Sequence, residues 1–549
     1  MLQGKMMERP LSVAAILDYA SDVHGTARIL SRRVEGDLHS QDFATTRLRV
    51  KRLANALIDL GVRPGDRVAT LAWNGYRHLE LYYAVSGIGA VCHTINPRLF
   101  PDQIAWIVTH ADDQVLFFDA DLTPLVAGLH ASLPADLRLV CLGEQDQIPA
   151  AAPEGTLGYE ALIAQSSAAL VWPDIPESAA AGLCYTSGTT GNPKGALYSH
   201  RSTVLHALST TIAVPSSFGV GKRILPAVPL FHVNAWGLPF SALLSGTDLV
   251  MPGPRLDGAS LFSLMEGEGV TSAWGVPTIW QGLIDEMRRK GRKPAALSSL
   301  LIGGSAVTEA QIRALEGEFG ISVIHGWGMT EMSPIGAVTR PQDGLPLEQR
   351  IASKLPQGQR LFGVEMRIID GQGQPVAHDG QGVGELATRG NSVVSGYFND
   401  APASAKSLDA DGWFRTGDVA RILPDSTMII VDRTKDLIKS GGEWISSLDL
   451  ENAALSCPGV AQAAAVAVPD DKWGERPLLV VVAQPGHSPT EAAILSHLAQ
   501  KLAKWQIPGE VLFRDSLPMT ATGKISKLEL RALLAQAREK KRQPDRAQP

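Results

Sequence analysis

A chain of 549 residues is longer than one ordinary hydrophobic core sustains, so two or more domains are expected. Apolar residues make up 45% and charged residues 19%, which fits a globular chain, and a net charge of −6 leaves no global field to draw nucleic acid. The four cysteines, Cys92, Cys141, Cys184 and Cys457, lie far apart. That argues against a disulfide framework or a zinc site and fits a reducing, cytoplasmic compartment.

The first residues, Met1 to Pro10, are polar and lack the apolar centre of a signal peptide. No run reaches the ~18 apolar residues that a membrane-spanning helix needs. Strand-like and helix-like runs then alternate: Arg67–Ala72 (strand), His78–Gly87 (helix), Gly89–Thr94 (strand), Pro101–His110 (helix) and Gln114–Phe118 (strand). The alternation returns at Val270–Trp274, Thr278–Arg289, Ser299–Ile302 and Thr308–Phe319. This texture predicts an α/β fold, with parallel sheets covered by helices. From about Val364, Asp–Gly turns at Asp370, Asp379 and Asp411 separate short strands such as Glu365–Ile369 and Gly384–Arg389, a β-rich module. After the apolar run Met428–Val431, Asp432 to Asp436 reads as a polar linker. Beyond it, helix Ser447–Cys457, strands Val460–Val468 and Pro477–Val482 and helix Glu491–Leu502 read as a separate α+β domain. The final basic run, Arg538, Lys540, Lys541 and Arg542, reads as a frayed, solvated tail.

Five motifs carry chemistry. Tyr185-Thr186-Ser187-Gly188-Thr189-Thr190-Gly191-Asn192-Pro193-Lys194-Gly195 follows the apolar strand Ala181–Cys184. Its glycines let backbone N–H groups approach an anion, its hydroxyls donate to phosphate oxygens, and Lys194 adds a charge. It is not a Walker loop, because Pro193 stands where that loop has glycine before its lysine. Gly303-Gly304-Ser305-Ala306 is a strand–helix turn, weak evidence alone. In His325-Gly326-Trp327-Gly328-Met329-Thr330-Glu331, an aromatic between glycines offers a face to a base, and Thr330 and Glu331 offer oxygens to a phosphate or Mg²⁺. Glu331 takes the third glycine position of a dinucleotide fingerprint, which that motif therefore fails. Asp418, after the turn in Trp413-Phe414-Arg415-Thr416-Gly417-Asp418, can accept two ribose hydroxyls, although a turn-capping role suits it equally when read alone. Lys524, on the turn Pro518-Met519-Thr520-Ala521-Thr522-Gly523-Lys524, would by itself be a solvent-facing lysine.

Together, in this order, the motifs resemble those of the adenylate-forming enzymes: acyl-CoA synthetases, the adenylation domains of peptide synthetases, and beetle luciferases. The similarity runs from about Ile16 to Leu533. Pro229–Trp236 and Lys439-Ser440-Gly441-Gly442-Glu443-Trp444-Ile445-Ser446 look like the bacterial short-, medium- and long-chain fatty-acyl-CoA synthetase branch, which includes methylthiopropionate–CoA ligases. The resemblance implies a large N-terminal domain (1–431) of two α/β subdomains, with its β-rich part from about 360. It implies a hinge at 432–437 and a small mobile α+β domain at 438–549. It places ATP on the phosphate loop (Thr186, Ser187, Gly188, Thr189, Thr190, Gly191, Lys194). It adds Gly304, Ser305, the segment His325 to Thr330, Asp418, Arg433 and Lys435. Thr186 and Glu331 would hold Mg²⁺. Lys524 and His232 would join them in catalysis. His232, Val233, Asn234, Trp236, Trp274, Val276 and Trp280 would wall an acyl pocket. Lys435, Lys439, Gly441, Glu443 and Trp444 would serve the hinge and the coenzyme A step. The family usually has Tyr where this chain has Trp327, so a phenolic hydroxyl is missing there.

The expected activity is ATP-, Mg²⁺- and CoA-dependent ligation of a carboxylic acid, through acyl-AMP and pyrophosphate to acyl-CoA and AMP. Peptide-synthetase domains meet an amino acid's ammonium with an Asp near the position of His232. Phe231–Pro239 holds no charged side chain apart from His232 when protonated, so an ammonium there would go unpaired. A short- to medium-chain fatty or related apolar acid is therefore favoured; a long-chain, methylthiopropionate or aromatic acid is the alternative. A hydrolase is disfavoured, since Ser305 lies in no Gly-x-Ser-x-Gly. A non-catalytic binding module sits badly with Lys524, Glu331 and Asp418 all present. Luciferase-type oxygenation stays open, and so does a homodimer.

Overall fold

The computed structural model describes residues 1–186, 192–342, 344–441, 443–470, 472–520 and 524–542. Ser187, Gly188, Thr189, Thr190 and Gly191 of the phosphate loop, Gly442, and Ala521 to Gly523 beside Lys524 lie outside the described residues. The chain divides into two compact units. The first comprises 1–307, 311–365 and 388–414; the second comprises 308–310, 366–387 and 415–549.

In the first unit, strands β1 (Arg28–Arg32) and β2 (Leu38–Asp42) precede a sheet made of β3 (Arg67–Leu71), β4 (Val91–Thr94), β5 (Asp113–Phe118), β6 (Arg138–Cys141), β7 (Leu157–Gly158), β8 (Ala180–Tyr185) and β9 (Gly195–Ser199). Their order is β7-β6-β5-β3-β4-β8-β9. All neighbours are parallel except β8 and β9. Parallel neighbours need crossovers, and the predicted helices supply them at Tyr76–Gly87 and Pro101–Ala111. A second sheet uses β10 (Arg223–Pro226), β11 (Asp248–Met251), β12 (Ser272–Gly275), β13 (Ser299–Ile302), β14 (Ser322–Gly328), β15 (Ile335–Val338) and β16 (Gly358–Arg360). Its order in this unit is β16-β15-β14-β13-β12-β10-β11-β1-β2.

The largest apolar cluster joins side chains of both sheets, such as Val68 and Val115 with Ile224 and Trp274. The helix Tyr76–Gly87 lies inside that cluster, and every residue of it is buried. Its acid Glu80 is therefore paired: Arg49 Nε lies 2.7 Å from Glu80 Oε1, and Arg49 also meets Glu160 at 3.0 Å. The predicted helix Thr308–Phe319 is shorter and irregular, with an α-helical turn Glu309–Arg313 followed by a wider π-type turn Ala314–Glu318.

The β-rich texture after residue 364 forms a run of neighbours, β17 (Val364–Ile369), β18 (Gly384–Gly390), β19 (Phe414–Ile422) and β20 (Thr427–Arg433). The α+β segment beyond it forms a sheet ordered β22-β21-β24-β23, from β21 (Ile438–Ser440), β22 (Glu443–Ile445), β23 (Val460–Asp470) and β24 (Gly474–Ala483); β25 (Glu510–Phe513) pairs with β24. Helices Ser447–Leu455 and Glu491–Ala499 pack in its core.

One expectation fails in this unit: the tail read as frayed continues the last helix, Lys527–Arg542. The segment read as a polar linker has both of its end carboxylates paired. Asp432 is 1% exposed and accepts from the Ser447 hydroxyl at 2.7 Å. Asp436 accepts from Arg531 of the last helix at 2.5 Å, and Arg531 also donates to the Lys435 carbonyl at 3.2 Å. Lys527, one turn earlier, bonds Ser447 Oγ at 2.6 Å and Glu451 at 2.7 Å. Asp436 finds its charged partner 95 residues away in sequence, and Asp432 finds its partner hydroxyl 15 residues away.

Candidate active site

The phosphate loop starts where β8 ends. Pairing of Thr94 with Cys184 and of Tyr185 with Gly195 sets the two ends of the loop side by side. Thr186 and Lys194 close its neck: Thr186 N donates to the Lys194 carbonyl at 2.9 Å, and Lys194 N donates to Thr186 Oγ1 at 3.4 Å. Lys194 itself is half-buried.

Glu331 sits in a one-turn 3₁₀ segment, Thr330–Met332, after β14. It is 7% exposed, and its Oε1 accepts from the Tyr397 hydroxyl at 2.7 Å. The Tyr198 hydroxyl of β9 donates to the Thr330 carbonyl at 2.6 Å, which ties this turn to the strand that closes the phosphate loop. The donor set suits a hard divalent cation: a carboxylate oxygen and a threonine hydroxyl are Mg²⁺ ligands, and phosphates would complete the shell. No group of three or more His, Cys, Asp or Glu that could hold a metal by itself occurs among the described residues.

The other nucleotide motifs meet at Gly303. A Cβ placed there would lie 2.9 Å from the Gly326 carbonyl oxygen and 3.2 Å from the Trp236 ring. Glycine thus lets the turn after β13, the His325–Glu331 segment and the Trp236 indole approach one another. Gly304 follows in a left-handed conformation, and Ser305 is exposed. Two members of the expected set turn inward. His325 is 2% exposed, and its Nδ1 lies 3.0 Å from the Lys354 carbonyl; burial lowers its pKa, so the ring is a neutral donor to that carbonyl. Trp327 is 9% exposed and lies on the backbone of Gly336, where a Cβ would fall 2.6 Å from the ring.

The most unusual backbone holds the expected acyl wall. Val233, Asn234, Ala235 and Trp236 have φ of 48°, 54°, 45° and 58°, and Gly237 follows at 81°. This is a left-handed turn built from non-glycine residues, each costing about 1–2 kcal/mol. Buried side chains hold it on both sides. Asn74 accepts from Leu230 N at 2.6 Å, Tyr82 donates to the Leu230 carbonyl at 2.7 Å, and Tyr83 donates to the Pro239 carbonyl at 2.7 Å. The Cys184 thiol donates to Asn234 Oδ1 at 3.4 Å. His232, half-buried, opens the turn. Val233, Trp236 and Trp274 share one apolar cluster, with Val276 packed against it.

Trp280 does not belong with them. It packs into a different cluster, with its indole N–H 3.4 Å from the Leu301 carbonyl. Trp274 is fully buried, with its N–H bonded to Ser217 Oγ at 3.1 Å, and backs the wall from behind. Six residues apart, on β12 and on the helix after it, the two indoles fall in different clusters.

In the second unit, Asp418 on β19 faces Arg433 on β20 across the ladder, and Arg433 Nε lies 2.9 Å from Asp418 Oδ1. Asp418 is 3% exposed, whereas Arg433 and Lys435 are exposed. Lys524 is half-buried, and its pKa is lowered to about 8, mainly by burial and also by the Arg433 charge, against the pull of Asp418. The structure therefore brings three predicted groups, Asp418, Arg433 and Lys524, into one electrostatic cluster. Lys439 and Trp444 pair across β21 and β22, with the Lys439 ammonium 5.5 Å from the indole centre. Trp444 is 56% exposed, Glu443 is exposed, and Gly441 is left-handed with φ 62°.

Two groups escaped the sequence reading. Tyr397 lies in Ser-Gly-Tyr-Phe-Asn-Asp, which carries no cluster of reactive residues. Arg531 lies in a charged helix that reads as a solvated face.

The AMP-binding enzyme family matches residues 20–398, and the AMP-binding enzyme C-terminal domain matches residues 449–524. A 3-methylmercaptopropionyl-CoA ligase from Ruegeria pomeroyi is 46% identical over 96% of this chain and 98% of its own. A medium-chain-fatty-acid–CoA ligase from Ectopseudomonas oleovorans is 45% identical over 96% and 97%. The crystal structure of the anthranilate CoA ligase AuaEII with anthranoyl-AMP superposes with a TM-score of 0.86 at 24% identity, over 97% of this chain and all of that one, a likeness of fold. The chain belongs to the AMP-binding enzymes and is an AMP-forming acid–thiol ligase that uses ATP and CoA.

Proposed function

We propose that the chain ligates CoA to a short- to medium-chain fatty acid or a related apolar acid, with Mg²⁺ as cofactor. The observation that carries the acid class is the Val233–Trp236 turn, which sets an uncharged, largely apolar surface where an amino acid would need an anion. The named substrates of the two relatives, a medium-chain fatty acid and a short thioether acid, agree with it.

A carboxylate is ionised at pH 7, so its attack on the α-phosphate needs no general base. It needs two anions to be held together, which is a matter of position and charge. The Lys524 ammonium would offset charge between the carboxylate and the α-phosphate. The hydroxyls and Lys194 of the phosphate loop would hold the β- and γ-phosphates, and Asp418 would take the ribose hydroxyls. Bound at Thr186 and Glu331, Mg²⁺ would supply further neutralisation of phosphate charge. In the second half-reaction the thiol attacks the acyl-phosphate anhydride, Lys524 is no longer needed, and rotation about Lys435 would bring up the Lys439–Trp444 segment. The four cysteines are unpaired, in keeping with a reducing, cytoplasmic setting. No described helix is long and apolar enough to cross a membrane.

The test is a panel of straight-chain acids from two to eighteen carbons, with aromatic, sulfur-containing and α-amino acids, scored by CoA-dependent AMP release. The highest kcat/KM is expected for an apolar acid of short or medium length. An optimum at an amino acid, or at the longest acids, would overturn the assignment.

A further inference from the structure

We infer that Tyr397 is a positioning residue that couples the phosphate-loop lysine to the carboxylate of Glu331; this rests on the roles proposed for Lys194 and Glu331. The Tyr397 hydroxyl donates to Glu331 Oε1 at 2.7 Å, and the Lys194 ammonium lies 5.0 Å from the centre of the Tyr397 ring. One side chain thus meets a predicted phosphate cation with its face and a predicted metal carboxylate with its tip.

The segment that carries Tyr397 is fixed at both ends of this span. Phe398 N donates to the Gly195 carbonyl at 2.8 Å, one residue after Lys194. A Cβ on Gly195 would come within 3.2 Å of Phe398 Cβ, tighter than ordinary contact, so glycine eases the approach of the two segments. Val394 N donates to the Glu331 carbonyl at 2.9 Å, and the Ser333 hydroxyl donates to the Ser392 carbonyl at 2.9 Å. Tyr397 itself is held from behind, its N–H on Ser404 Oγ at 2.8 Å and its ring edge-on to Phe414.

A donor on one carboxylate oxygen fixes the plane of the group, as second-sphere hydrogen bonds do at metal sites. The ring gives the ammonium a resting place that costs no ion pair and so leaves it available to phosphate. The hydroxyl therefore bears on the metal and the ring bears on the nucleotide, and the two can be separated.

Tyr397→Phe keeps the ring and removes the hydroxyl. We expect the Mg²⁺ concentration for half-maximal ATP–pyrophosphate exchange to rise about 10-fold, the lower end of the usual cost of losing such a partner. Calorimetric binding of ATP at fixed low Mg²⁺ should weaken in parallel, with the thermal midpoint little changed. Tyr397→Leu should add a loss of ATP affinity that excess Mg²⁺ does not restore. A Tyr397→Phe enzyme with wild-type Mg²⁺ dependence and wild-type ATP binding would overturn the inference. Glu331→Gln, run alongside, separates the layers. If it shifts the Mg²⁺ dependence and Tyr397→Phe does not, only this inference fails; if it shifts nothing, the Glu331 assignment falls and takes this inference with it.

Discussion

Around Trp236 the chain is held by groups with no access to water: Tyr82, Tyr83 and Asn74 reach in from the helix Tyr76–Gly87 and the turn before it. Around Arg433 and Lys435 it is held by charges that meet solvent, with Arg433 on Asp418 and Arg531 on Asp436. The first arrangement stores backbone strain and keeps it. In the second the arginines keep contact with solvent while Asp418 and Asp436 are buried, so each pair stands between a surface and an interior ion pair. An apolar acid is recognised by shape, which calls for a wall that does not yield. A phosphoryl-transfer step between two anions calls for a cation that can arrive and leave, which suits the region of Lys524.

The sharpest way to break this contrast is Lys524→Ala. Acyl-AMP formation should fall about 10³-fold, the upper range for deleting one electrostatic group, while CoA acylation from supplied acyl-AMP continues. Half-reaction assays would show it, and equal loss of both halves would erase the distinction between the two regions. Next in size is pH. Only protonated Lys524 neutralises charge, and its pKa is lowered to about 8. The kcat/KM for acyl-AMP formation should be level below pH 8 and fall about tenfold per unit above it, as free-enzyme ionisations report. Residual activity of Lys524→Arg should lack that fall; a wild-type profile level to pH 9.5 would refute the reading. The smallest effect tests the rigid side. Trp236→Ala should raise the kcat/KM ratio of longer to shorter acids on the order of fivefold, somewhat under the usual weight of a methylene in a tight pocket. An unchanged chain-length profile would mean that the indole only fills the core.

Much of this was legible because it is local. An apolar strand followed by Gly, Ser, Thr and Lys is readable in one window, and so are the Asp–Gly turns of β17 to β20. The α/β alternation was readable from strand runs of four to six residues, and the observed strands β3, β4 and β5 each share one end with the expected ones and differ by one or two residues at the other. What was not legible depends on partners distant in sequence. Nothing in Val-Asn-Ala-Trp announces a left-handed turn, and β-branched Val233 opposes it. Its cause lies in hydroxyls about 150 residues earlier. Trp274, at the end of an expected strand, and Trp280, in the helix after it, look alike as bulky indoles, yet they pack into different clusters. Asp432 reads as part of a polar linker, and nothing next to it in sequence points to its partner, the Ser447 hydroxyl.

The bolt between the last helix and Asp436 has a consequence for biosynthesis. Residues 432–436 leave the ribosome long before Arg531 exists, so during that interval Asp436 lacks its later partner. Domains fold as units, N-terminal first, at about 5–20 residues per second. The stretch from Asp436 to Arg531 therefore gives this joint an interval of several seconds in which it is unsecured. The first unit can complete its buried wall in that time, and the Asp436–Arg531 ion pair forms only once the helix Lys527–Arg542 has emerged.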